Sequence, residues 1–221
     1  MSINLAVKRN WILFPLMSVI TLLLLFFTRH YLLDDRFYYR AYGELLSPLQ
    51  IEGWLQMQHR AEYLGYLLVL LCNTFKYLVI VFAFYIGLSL AGRQSNLNEL
   101  WIIVLRAELV FFIPAIIKIC WFMWVDVNFS LNDWLYFAPL SLLQITGYHY
   151  LSPIWIYPLE AINVFELAYW AILGLQLGKL LRVGFDEGLR IVLMIYLPLL
   201  GFWILLVELI QSLNPLFTQG Q

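Results

Sequence analysis

The sequence predicts an all-α integral membrane protein of about five transmembrane helices, with a short interfacial or re-entrant segment between the third and the fourth. Three observations carry this. Hydrophobic residues make up 63% of the chain and charged residues 12%, against roughly 45–50% and about 25% in soluble domains. A chain of 221 residues has too little interior to hide that much apolar surface from water. Five apolar stretches are each long enough to cross about 30 Å of hydrocarbon, which takes roughly 20 helical residues.

The stretches cover residues 11–28, 63–91, 100–125, 158–177 and 189–209. Lys8 and Arg9 precede the first, which is longer than a typical signal-peptide core of about 7–15 residues and has no small-residue cleavage site after it. It is therefore expected to be a retained helix. Pro158 is expected to open the fourth helix, where its missing N–H costs nothing. Pro114 and Pro198 should bend the third and fifth. Residues 29–62 form the longest polar segment, and their later part mixes apolar and polar residues as a helix lying on the membrane surface would. Residues 131–157 are apolar but broken by Pro139, Gly147 and Pro153, so an uninterrupted span is not expected there; a sixth span is the alternative. Trp134, Tyr136, Tyr148, Tyr150, Trp155 and Tyr157 suit the headgroup layer. The whole chain, residues 1–221, reads as one polytopic domain.

Lysine and arginine placement orients the chain. With the N-terminus cytoplasmic, the short inside segments hold Lys8, Arg9, Arg93, Lys179, Arg182 and Arg190, and the short outside segments hold none. The outer first loop has Arg29, Arg36, Arg40 and Arg60, balanced by five carboxylates. The expected location is a bacterial inner membrane, N-terminus inside and C-terminus outside.

A lone charge near the bilayer centre costs at least about 2.5–3.5 kcal/mol on insertion scales, so embedded ions should face protein, water or one another. The embedded set is Lys76, Arg106, Glu108, Lys118, Glu160, Glu166 and Glu208, together with Asn163. Lys76 and Glu166 both fall near mid-span and are expected to pair, as are Lys118 and Glu208. Arg106 and Glu108 stand two residues apart, about 200° around a helix, and cannot face the same partner. Glu160, Asn163 and Glu166 recur every three residues and should share one polar helix face, the first choice for a helix–helix seam.

No phosphate loop, metal-ligand spacing or assignable nucleophile–base set occurs, so no catalytic residue, cofactor or metal site is expected. His30, His59 and His149, with Asp34 and Asp35, have no diagnostic ligand spacing. Cys72 and Cys120 lie in apolar stretches and read as small hydrophobes. A net charge of −1 argues against a nucleic-acid partner. The expected partners are the lipid bilayer and other membrane-protein subunits.

Three runs resemble the Yip1-like family of polytopic membrane proteins. They are N-E-L-W-I-I-V-L-R-A-E at 98–108, A-P-L-S-L-L at 138–143 and P-L-E-A-I-N-V-F-E-L-A-Y-W at 158–170. The bacterial branch looks the closer match, over about residues 66–209; the Asp-Leu-Tyr-Gly-Pro type signature of the eukaryotic branch does not precede the first span. The resemblance implies five spans, a role in membrane trafficking or as a partner of other membrane proteins, and no catalytic residues to carry over. Composition and resemblance together lead to an expected accessory or scaffolding subunit. The alternatives are a small transporter or permease component using embedded carboxylates, and an intramembrane enzyme.

Overall fold

The computed structural model describes residues 12–213, except the side chain of Tyr150. Lys8, Arg9 and the start of the first predicted span lie outside the described residues. Described elements are helical, apart from an isolated antiparallel bridge between Ser141 and Asn163. In chain order they are α1 (Leu13–Phe27), running into a wide turn at Thr28–Leu32, α2 (Asp35–Tyr42), α3 (Pro48–Leu90), α4 (Leu97–Glu108), a tight turn at Leu109–Phe111, and α5 (Phe112–Trp124). There follow α6 (Leu131–Tyr136), α7 (Leu142–Thr146), a tight turn at Tyr148–Tyr150, α8 (Pro153–Ala161), α9 (Val164–Leu181) and α10 (Phe185–Leu213). Five helical segments are long and apolar enough to cross a membrane: Leu13–Leu32, Pro48–Leu90, Leu97–Trp124, Val164–Leu181 and Phe185–Leu213.

The described residues fall into two compact units, residues 12–77 with 112–137, and residues 78–111 with 138–213. The first has a core of Leu32, Phe37, Tyr38, Ile51, Leu55, Ile119, Phe122 and Phe129. Asp34 caps α2, its carboxylate accepting the Phe37 N–H at 2.8 Å, and so satisfies a donor the helix start leaves open. Ile51 and Leu55, one turn apart on α3, are almost fully buried. The stretch expected to lie on a membrane surface is therefore helical, but its apolar side fills this core, and the helix continues unbroken to Leu90. At 43 residues α3 is about 64 Å long, roughly twice the hydrocarbon thickness.

In the second unit α9 and α10 form a helical hairpin joined through Arg182, whose φ of 55° and ψ of 41° place it in the left-handed region. Glycines allow the two helices to meet backbone to backbone. A Cβ on Gly188 would overlap the Gly174 carbonyl oxygen and lie 2.9 Å from the Gly178 nitrogen, and one on Gly174 would lie 2.9 Å from Leu189 Cα. Gly174 and Gly178 form the G-x-x-x-G spacing that permits close helix approach. In the third span the tight turn at Leu109–Phe111 ends three residues before Pro114. The proline ring crowds the carbonyl four residues back, and the helix tightens there instead of running on regularly. Residues 131–161 make only short helices, as the prolines require, and Gly147 ends α7 with a φ of 75°.

Candidate functional site

The most polar buried locus lies in the second unit, around the start of α9. Asn163 has extended backbone, φ −140° and ψ 165°, and its side-chain oxygen accepts the Glu166 N–H at 2.8 Å. Its amide nitrogen donates to the carbonyls of Glu160 at 3.0 Å and Ala161 at 3.3 Å. One side chain thus closes α8 and opens α9. The bridge beside it, with Leu142 N–H donating to Ile162 O at 3.0 Å and Val164 N–H to Leu140 O at 3.2 Å, holds the non-helical backbone between them.

This geometry corrects the sequence reading in two ways. Pro158 lies inside α8, with Pro153 taking the first-turn position, and the fourth long helix begins at Val164. Glu160, Asn163 and Glu166 do not share one helix face, because the helix is interrupted at Asn163: asparagine competes with the backbone as a cap. Glu166 stands in the first turn of α9, not near mid-span. Glu166 therefore does not share the mid-span depth expected of Lys76, on which their expected pairing rested.

Glu166 is 7% exposed and Glu108, at the end of α4, 3%. The Trp170 indole N–H donates to Glu166 at 2.8 Å. Tyr169 on α9 is fully buried, and its hydroxyl is enclosed without a hydrogen-bond partner among the described residues; Tyr196 on α10 is buried beside it. The two tyrosine rings are 5.3 Å apart, and Phe111 lies 5.1 Å from Tyr169. Three helices of one unit thus contribute two carboxylates and two phenols to a single buried cluster. Gln176, two turns along α9, donates to the Ile103 carbonyl at 3.5 Å.

The other predicted residues are dispersed. Arg106 is exposed while Glu108 is buried, the opposition their two-residue spacing demands. Lys76 is exposed on α3, its ammonium 5.3 Å from the Tyr77 ring centre. Lys118 is half-buried on α5, 4.7 Å from the ring of Trp134. Glu160 is half-buried at the end of α8. Glu208 is half-buried on α10, with Oε1 enclosed and without a hydrogen-bond partner among the described residues. Lys118 belongs to the first unit and Glu208 to the second.

A second polar locus ties the first unit together; it includes His30, His59 and Asp35, whose sequence spacing is not diagnostic of any role. Arg29 and His59 both reach Asp35, at 3.3 and 3.1 Å, and His59 also faces Glu62 at 3.8 Å. His30 lies 3.9 Å from Glu62, which accepts a hydrogen bond from the Tyr66 hydroxyl. Burial pushes the Asp35 carboxyl up, but hydrogen bonds and charge from His59 and Arg29 outweigh it and hold it below its ordinary value. The available signal was local: His59 and Glu62 sit one turn apart on a helix. Their approach to Asp35 depends on the turn before α2, which no local pattern specifies.

Comparison of the chain with protein-family models, with curated proteins and with solved structures finds no match.

Proposed function

We propose that this chain is a non-catalytic accessory or scaffolding subunit of a bacterial inner-membrane protein assembly. It is inserted as five crossing helices, with its N-terminus cytoplasmic and its C-terminus outside. The observation that supports this most directly is the internal use of its buried polar groups. Glu166 accepts the Trp170 N–H while Asn163 caps its backbone and holds the end of the preceding helix. Polar side chains engaged within their own unit hold helices in register. The outward faces are then left apolar: on α10, Phe202 is 64% and Leu205 70% exposed. Such faces suit lipid and partner helices.

The five-pass count draws support from an ion pair. Arg93, in the turn before α4, bonds Glu187 on α10 at 2.8 Å, so both turns lie at one end of the second unit. The third and fourth spans separate them, an even number of crossings. A sixth span through residues 131–157 would put them on opposite sides.

One observation favours a second reading, a proton- or ion-conducting component: two carboxylates and two tyrosines are gathered from three helices. Buried ionisable groups in membrane spans commonly mark such paths. Purification in mild detergent, with identification of co-isolated proteins, separates the readings together with Glu108→Gln and Glu166→Gln. A scaffold is recovered with partner subunits, and the variants lose stability or assembly. Recovery as a compact monomer refutes the subunit reading. Loss of an ion flux with stability and assembly intact supports the second.

A further inference from the structure

We propose that α2 and the groove beside it bind the phosphate headgroup of an anionic phospholipid, with Arg36 and Arg40 as the gripping residues. The inference rests on the membrane-inserted reading above, because the position of α2 follows from it. The first span-length segment ends at Leu32 and α2 begins at Asp35. Two intervening residues cannot carry the chain far, so α2 lies at the level where headgroups meet hydrocarbon.

Arg36 and Arg40 are one turn apart on α2 and both are exposed. Like charges at this spacing repel, and an anion held between them turns that repulsion into attraction. Guanidinium groups match phosphate oxygens with paired N–H donors. Arg29 differs, being tied to the Leu33 carbonyl and the Asp35 carboxylate. Arg40 stands 5.8 Å from the Phe37 ring centre, a contact that leaves its N–H groups available. Asp35 is drawn to Arg29 and His59. Asp34, which also lines the groove, turns one carboxylate oxygen to the Phe37 N–H, and with the exposed Glu44 it sets the negative charge that a bound headgroup must outcompete.

Both arginines border an open groove of about 450 Å³, whose apolar walls include Tyr31, Leu32, Phe122, Met123 and Val127. A second groove, of about 510 Å³, lies along Arg40, Tyr42, Leu45 and Leu131. A cationic rim over apolar walls at the membrane boundary is complementary to an amphiphile with an anionic head and an acyl chain. A soluble anion would match the rim alone.

Native mass spectrometry of the full chain, released from detergent with equal phosphatidylglycerol and phosphatidylcholine, tests this. Wild type should retain phosphatidylglycerol preferentially. Each arginine-to-glutamine change should weaken retention about tenfold, the size of a lost charge-assisted contact. Arg36→Lys with Arg40→Lys should restore part of it, and Lys179→Gln, at an exposed lysine on α9, should change nothing. Equal retention of the two lipids by wild type overturns the proposal. So does unchanged retention in the double glutamine variant, or full competition by inorganic phosphate. A second measurement needs no variant: wild-type thermal stability should be higher in phosphatidylglycerol nanodiscs than in phosphatidylcholine ones, and the gap should shrink with added salt. Equal stability in both overturns the proposal. A chain that does not incorporate into nanodiscs at all overturns the membrane reading beneath it as well, which separates the two failures.

Discussion

Gly188→Ala should unlock the α9–α10 hairpin. The added Cβ overlaps the Gly174 carbonyl oxygen and falls 2.9 Å from the nitrogen and 3.0 Å from the Cα of Gly178. All three obstacles are backbone, so no rotamer change relieves them. The helices must separate by roughly 1 Å to restore ordinary van der Waals distance. Forced overpacking of this kind costs about 1–3 kcal/mol, and three simultaneous backbone contacts place this site near the top of that range. Replacing glycine by alanine inside a helix returns about 0.5–1 kcal/mol through backbone entropy. The net expectation is a loss of about 2 kcal/mol, or roughly 4–8 °C in Tm for a chain of this size. Gly201→Ala is the control on the same helix, because a Cβ there meets nothing within 4 Å, and only the entropic gain remains. Thermal unfolding in detergent, followed by circular dichroism, should show the two variants moving in opposite directions. A Gly188→Ala variant as stable as wild type, or two variants shifting alike, would refute close backbone contact as the basis of this seam.

Trp170→Phe removes the N–H that Glu166 accepts at 2.8 Å and should cost about 1–3 kcal/mol, the scale of leaving a buried acceptor without its donor. Glu166→Gln keeps an acceptor and should cost less in the same thermal assay; the reverse order would count against this bond. Asp35 has a folded-state pKa below its ordinary value. Its contribution is therefore present above the usual carboxylate range and lost as pH falls through the lowered value. The side chain is 47% exposed, so solvent screening limits the effect to under about 1 kcal/mol. Asp35→Asn should be less stable than wild type near neutral pH and converge with it in acid; a gap that stays constant with pH would show that the ionised carboxylate is not responsible.

The helix start at Asn163 was open to sequence reading. Asparagine followed three residues later by glutamate is a start signal, but the apolar run around it obscured the break. Gly174 and Gly178 were equally open, since their four-residue spacing is itself a close-packing pattern. The approach of Glu108 to Tyr169 was not. Those residues are 61 positions apart, and nothing in either segment specifies which turn of α9 meets the end of α4. The same holds for Ile51 and Leu55: alternation shows that α3 has an apolar side, but only their neighbours decide whether core or membrane covers it.

What the residues by themselves determined is the helical class and the number of long apolar segments. Hydropathy sums along the chain, and an apolar segment of that length must satisfy its backbone internally wherever it sits. The tertiary structure decided which ions are buried, which turns of the helices meet, and how the chain divides into two units. Those features depend on side chains distant in sequence meeting at particular angles. A hydrogen bond or a glycine contact changes its worth within a fraction of an ångström, a scale on which composition is silent.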